Sequence, residues 1–394
     1  MEAYIADWLN TILRFAHFVT GIAWIGASFY FNALENNLNR RPGQRAGIAG
    51  HLWAVHGGGF YYLEKYKIYP DKLPQQLHWF KWEAYFTLLT GLGLLGVVYY
   101  YNATSYLLKA GSDLSAAAGI IASVAGLVAG WLIYHTISKT KLVQHQRLVA
   151  LIMLGVVFLA AAVYNEIFTP RAVFYQVGAM IGTIMVLNVF FVIMPSQRAL
   201  VKACTDKETI GEDVGFRGYI RSRNNNYFTL PVLFIMLSAH FPMFYSNGLY
   251  APLMLVLIFI VTVLIRHYFN LAGEKKPGGA VALAVAGAIT VATFVALMPA
   301  APKAAPDAQP VAFETVQTIV AQRCATCHSS HPTDDVFRVA PSGFVLDTGA
   351  QIVAAKEAIY ARTVASDSMP FANKTRMTPE ERALLSAWAV NQQK

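Results

Sequence analysis

Charge is scarce in this chain. Only 13% of its 394 residues are Asp, Glu, Lys or Arg, while 56% are hydrophobic, and an ordinary water-soluble domain carries about 25% charged residues. A fold solvated mainly by water is therefore excluded for most of the chain. Cysteine is scarcer still, with three in all. Cys324 and Cys327 stand together and Cys204 is left alone, so no disulfide framework is expected. Met1-Glu2-Ala3-Tyr4 offers neither a basic stretch nor a small-residue cleavage site, so a removable export signal is not expected there. No internal repeat is visible and few charges interrupt the apolar runs, which argues against a transporter built from repeats.

What is present is a series of apolar runs. A bilayer-spanning helix needs about 20 mostly apolar residues, and eight such runs lie near 11–33, 80–101, 117–137, 148–168, 173–194, 229–246, 250–269 and 280–299. The sixth is short and interrupted by Pro231 and Pro242. With eight spans and residues beyond 300 outside, the loops placed inside carry nearly all the basic residues, from Arg40 to Lys81, Lys139 to Arg147, Arg198 to Arg223, and Lys275 with Lys276. The short outside loops hold only Lys109 and Arg171. This is the positive-inside pattern of a bacterial cytoplasmic membrane protein. It accounts for the net charge of +9 without nucleic acid as a partner.

The most specific motif is Cys324-Ala325-Thr326-Cys327-His328. A lone CxxC suits a redox or zinc pair as well, but the following histidine points to covalent attachment of a c-type haem, with His328 as iron ligand. Such haem is attached outside the cytoplasmic membrane, in agreement with the loop charges. Before the motif, Phe313 to Arg323 reads as an amphipathic helix. After it, Thr378-Pro379-Glu380-Glu381 reads as the cap of a second, Arg382 to Gln392. Met369, followed by Pro370, is the expected sixth ligand of the iron, with Met377 as competitor. Ala300 to Ala312 is a tract of alanine and proline, a tether reaching roughly 40 Å at about 3.1 Å per residue.

The expected architecture is thus all-α. An eight-helix transmembrane bundle (1–299) is joined by a linker (300–312) to a class I cytochrome c domain (313–394).

Histidines within the spans are costly to bury and so are functional candidates. By counting along the runs, His17 and His240 fall at one depth near the outer surface, and His135 and His267 at another near the inner ends. Facing pairs of this kind hold b-type haem or a metal. The alternative is that each is a hydrogen-bonded bundle residue, or an interfacial one for the inner pair. The run around His17 also resembles the first helix of the bacterial membrane protoporphyrinogen oxidases, where a histidine in that setting contacts haem.

Two polar segments on the inside stand out. From His51 to Trp82 the loop interleaves histidines, Gly57-Gly58-Gly59, aromatics such as Tyr61 and basic residues such as Lys65. The glycines permit a sharp turn or a close backbone approach to a ligand, and flat rings with cations suit a planar anion. An interfacial aromatic belt is the plainer reading. The second segment, Arg221-Ser222-Arg223-Asn224-Asn225-Asn226, offers guanidiniums and amides to a ligand rich in carbonyl and NH groups, or simply caps a helix.

HGGGFYYLEK after the first span, RSRNNNYFTLPVLFIMLSAHFP into the sixth, and the tethered CxxCH domain together resemble the bacterial membrane-bound urate oxidase (urate hydroxylase) family with a fused cytochrome c. The resemblance covers essentially the whole chain. It implies oxidation of urate to 5-hydroxyisourate, with electrons passing through haem to a soluble cytochrome c or terminal oxidase rather than directly to oxygen. For that reaction the candidate urate contacts by residue chemistry are Tyr61, Lys65, Arg221, Arg223, Asn225 and Asn226, and His56, Glu64 and Glu83 are candidate bases by position. The rival reading is a membrane-anchored cytochrome c subunit of a quinol or dehydrogenase complex, which leaves both polar segments unexplained.

Overall fold

The computed structural model describes residues 1–41, 44–109, 111–238, 240–245, 250–298, 311–335, 337–366 and 368–391. The tether expected at 300–312 lies outside these residues as far as 310, as does the expected end of the sixth run. The first part of the chain forms helices α1 (Glu2–Asn37), α2 (Trp82–Leu94), α3 (Ala116–Ile137), α4 (Gln146–Ile167), α5 (Pro170–Asn188), α6 (Met194–Asp206), α7 (Glu212–Ser238), α8 (Ala251–Gly273) and α9 (Gly279–Ala296). Single π-helical turns extend α2 through Leu95–Tyr100 and join α5 to α6 through Val189–Ile193.

Among the described residues, seven helical segments can cross a membrane by length and composition: Tyr4–Asn37, Trp82–Tyr100, Ala116–Ile137, Gln146–Ile167, Pro170–Asp206, Ala251–Gly273 and Gly279–Ala296. Their outer faces expose large apolar side chains, among them Phe15, Leu151 and Val291. Water penalises such a coat and hydrocarbon does not. The core lies between α3, α4, α5 and α8. Gly126 and Gly130 of α3 sit one turn apart, where an added Cβ would stand 1.9 Å from the Tyr164 hydroxyl and 2.4 Å from Met180 Cγ. These two glycines let α3 close onto α4 and α5.

The sixth expected span is where the sequence reading needs correction. Helix α7 begins at Glu212, well before 229, and stops at Ser238. It falls outside the apolar class because its first half carries the Arg and Asn run. His240 lies beyond it, exposed, ahead of the short turn Pro242–Phe244. Pro242 has no N–H for a helix and disfavours helical backbone just before it. His240 is therefore not a side chain at depth within a helix. Helix α8 also runs on to Gly273, so His267 is six residues from its end rather than two, whereas His135 keeps its two. At 1.5 Å per residue the inner depths differ by about 6 Å.

The all-α expectation is corrected too. Ile48–His56 (β1) and Gly59–Tyr66 (β2) pair as an antiparallel hairpin. Gly57 and Gly58 form its two-residue turn with φ of 58° and 79°, the positive values a primed hairpin turn requires and glycine supplies without strain. Sharp turning, not ligand approach, explains the triple glycine.

The tail forms α10 (Phe313–Arg323), α11 (Gly349–Ala354), α12 (Lys356–Thr363) and α13 (Pro379–Asn391) around its own core of Val316, Val320, Leu385 and Trp388. Thr378 and Glu381 cap α13 reciprocally. The Glu381 N–H donates to Thr378 Oγ1 at 3.2 Å, and the Thr378 N–H to Glu381 Oε2 at 2.8 Å. Arg323, the last residue of α10, donates to both Glu381 oxygens at 3.0 Å, and Phe313 leans on Trp388 at 6.3 Å. First and last helices are thus tied at two points.

Burial opposes ionisation of Glu381, but Arg323 and the cap hold its carboxyl below the usual carboxylate range. A depressed folded pKa contributes stability above the unfolded value and loses it as pH falls through the folded one. Glu381→Gln is expected to cost the tail about 1–2 kcal/mol at neutral pH, read as faster hydrogen exchange of α13 amides. The difference should shrink in acid; equal protection at neutral pH would refute it.

Candidate functional site

Two constellations emerge, at opposite ends of the bundle. One is the crevice of the tail. Helix α10 is capped by Cys324, and the Cys327 and His328 N–H groups both turn back onto the Cys324 carbonyl, at 3.1 and 2.8 Å. This tight turn sets the two thiols and the imidazole along one wall. His328 Nδ1 is 3.0 Å from the Phe344 carbonyl. Because a carbonyl only accepts, Nδ1 carries the proton and Nε2 presents its lone pair, the usual arrangement of a metal-ligating histidine.

The cavity they line is shared with Met369, while Met377 is buried in the tail core. The Met369 loop is pinned by its N–H to the Arg362 carbonyl at 2.9 Å and by Arg382 Nη1 to its own carbonyl at 3.0 Å. Burial pushes the Cys324 thiol up to about 12 and raises Cys327 as well. Among the described residues no three His, Cys, Asp or Glu side chains gather in a metal-holding group. Two thiols, an imidazole nitrogen and a thioether around one mainly apolar cavity fit a covalently bound haem.

The second constellation is a buried polar layer where α7 crosses α5 and α8. Residues one turn apart on α7 share a face, so Arg221 and Asn225 turn together toward α5. Arg221 donates to Asn188 Oδ1 at 3.1 Å and to the His135 carbonyl at 3.3 Å, and its guanidinium lies 4.8 Å from the centre of the Tyr134 ring. Asn188 donates to Asn225 Oδ1 at 2.9 Å, and Asn225 donates to the Met185 carbonyl at 2.8 Å. Both ends of the Asn225 amide are spent inside the protein.

Asn226, next along, faces α8 instead. Its Oδ1 accepts from Arg266 Nε at 2.8 Å and from Asn270 Nδ2 at 3.3 Å, and Arg266 lies 4.3 Å over the Phe29 ring. Asn226 Nδ2 and Asn270 Oδ1 are buried without a partner. Arg266 and Arg221 are only 8% and 3% exposed, and among the described residues no carboxylate pairs with either. A buried cation normally demands one. Around Arg266 the layer therefore holds a positive charge, an unpartnered amide donor and an unpartnered amide acceptor, with the Phe29 face taken by the guanidinium itself.

The other expected site residues are dispersed. His56 and Tyr61 are exposed on the hairpin, and Glu64 pairs with Arg45 at 2.8 Å. Lys65 is ion-paired with Glu35 and lies 5.7 Å over the Tyr219 ring, which tethers the hairpin to α7. Glu83 sits in the first turn of α2. Arg223 is half-buried on another face of α7 than Arg221.

His17 Nδ1 is held by the Thr87 carbonyl at 3.0 Å and Thr90 Oγ1 at 3.1 Å, in space left by Gly91. His135 stacks on Trp131 at 4.6 Å with its Nδ1 buried and unpartnered. His267 Nδ1 lies 2.8 Å from the Tyr227 hydroxyl. Among the described residues no ring contact joins His17 to His240 or His135 to His267.

The sequence reading passed over Arg266, Asn270 and Asn188. The available signal was a lone charge inside an apolar run, as Arg266 is in the seventh; the two asparagines gave none.

Comparison with known proteins adds one finding. A family profile described as urate oxidase N-terminal matches residues 3–298. No curated protein and no solved structure matches.

Proposed function

The chain belongs to the urate oxidase N-terminal family, and from that premise we propose that it is a membrane oxidoreductase that converts urate to 5-hydroxyisourate and delivers the electrons to a c-type haem on its tail. The family match over 3–298 carries the urate half of this reading, and the Cys324–His328 motif with its crevice supports the haem half. Urate and water give 5-hydroxyisourate, two protons and two electrons, so the reaction needs an anion site, a proton acceptor and an electron outlet. Arg266, with Asn226 and Asn270, supports the anion site. A guanidinium in a low-dielectric layer attracts a planar anion strongly and bonds two of its acceptors at once. The free amide groups match the alternating carbonyl and NH edges of the purine.

Of the three base candidates, Glu83 is the one on the bundle itself. The outlet is the crevice of Cys324, Cys327, His328 and Met369, where a bound haem would supply one-electron chemistry. His17, with Nδ1 occupied and Nε2 unengaged, remains the best-placed ligand for an additional b-type haem. On the proposed topology the polar layer faces the cytoplasm and the tail lies outside the inner membrane.

Urate added anaerobically to purified, oxidised protein is expected to produce the absorption bands of reduced c-type haem. Absence of those bands sinks the proposal, and reduction by quinol alone favours the electron-transfer subunit. A pyridine haemochrome on the same sample counts b-type against c-type haem.

A further inference from the structure

The crevice is not formed by the tail alone. Tyr106 and Arg171, from the opposite end of the bundle to the polar layer, line the same cavity as Cys324, His328, Met369 and Phe371. The contact is built rather than incidental. Tyr106 lies on the connection between α2 and α3, and Arg171 in the first turn of α5. Thr169 locks the two together, its N–H donating to the Leu107 carbonyl and its hydroxyl to the Tyr106 carbonyl, both at 2.9 Å. Thr169 Oγ1 also caps α5, accepting from the Ala172 N–H at 3.3 Å.

On this platform the Tyr106 ring meets Phe371 at 5.4 Å and Phe337 at 6.3 Å, and these two meet each other at 6.0 Å. The Arg171 guanidinium lies 5.9 Å over Tyr175, its Nε buried without a partner. Among the described residues no carboxylate pairs with it. A half-buried cation that faces a cavity, with its Nε unpartnered, is matched by an anion inside that cavity.

We propose that the membrane domain completes the haem site of the tail, Tyr106 covering the ring edge beside Phe337 and Phe371 while Arg171 binds a haem propionate. This rests on the c-type haem reading given above. Haem brings two carboxylates on one edge and an apolar ring between its other edges, the two chemistries that Arg171 and Tyr106 present. A guanidinium takes a carboxylate through two parallel hydrogen bonds. The tail is thereby held against the membrane domain by its own cofactor.

The test is an optical redox titration of the full chain. Removing a cation beside the ring leaves a propionate uncompensated and favours the ferric state, so Arg171→Gln is expected to lower the midpoint potential, with Arg171→Lys recovering most of the shift. Tyr106→Ala should lower it as well by admitting water to the ring edge, and it serves if Arg171→Gln does not accumulate. Covalent haem with an unchanged potential in these variants overturns this proposal and leaves the haem reading intact. Absence of covalent haem from the unaltered protein overturns both.

Discussion

Arg266→Ala is expected to lower kcat/KM for urate by about a hundredfold, the consequence of removing one partner of a desolvated charge pair at about 2–5 kcal/mol. The loss should appear mainly in KM, since the guanidinium holds the anion before and during reaction alike. Arg266→Lys keeps the charge but not the planar fork, so its recovery should be partial. Arg221→Ala provides the contrast. Its hydrogen bonds go to Asn188 and the His135 carbonyl, so it should lower thermal stability and yield, with KM little changed in what folds. Full urate affinity in a folded Arg266→Ala protein would remove the anion site from the polar layer.

If the tail carries the proposed c-type haem, Cys327→Ala is expected to remove one of its two thioether links and with it normal haem retention and urate-driven reduction of the tail. Met369→Ala should keep the covalent haem but change its spectrum and lower its potential, because the thioether favours the ferrous state. Met377→Ala separates ligation from packing. Met377 is 3% exposed within the tail core, so its truncation should cost about 2–5 kcal/mol of stability while leaving the iron spectrum alone. If the two variants exchange these phenotypes, the ligand is Met377 and the crevice has been assigned the wrong wall.

Why one end of the chain was easier to read than the other is a matter of how local the determinants are. Helix α10, predicted at Phe313 to Arg323, occurs as Phe313–Arg323. The cap of α13 follows from four consecutive residues, and its capping box is made by Thr378 and Glu381. Apolar runs likewise announce long helices wherever nothing polar interrupts them.

The polar layer is the reverse case. Asn188, Asn226 and Asn270 become one unit only because α5, α7 and α8 cross there, which no window of sequence contains. Helix α7 defeats a hydropathy count because its polar residues are satisfied by other helices rather than by water. His240 was misplaced because the helix was extended through Pro242, and depths counted along a run are only as good as its ends. The hairpin was missed for a different reason. Its glycine turn is a strong strand-pairing signal, but it sits in a loop where aromatics and cations suggested a ligand.

Helix α5 carries a consequence for energy coupling. Arg171 in its first turn borders the crevice, and Asn188 at its end belongs to the polar layer, a separation of about 26 Å at 1.5 Å per residue, most of a hydrocarbon core. On the proposed topology each electron leaving urate travels from the negative to the positive side of an energised membrane. The voltage assists it by about 2.3 kcal/mol for every 100 mV, so turnover draws on the membrane potential and is pulled forward by it.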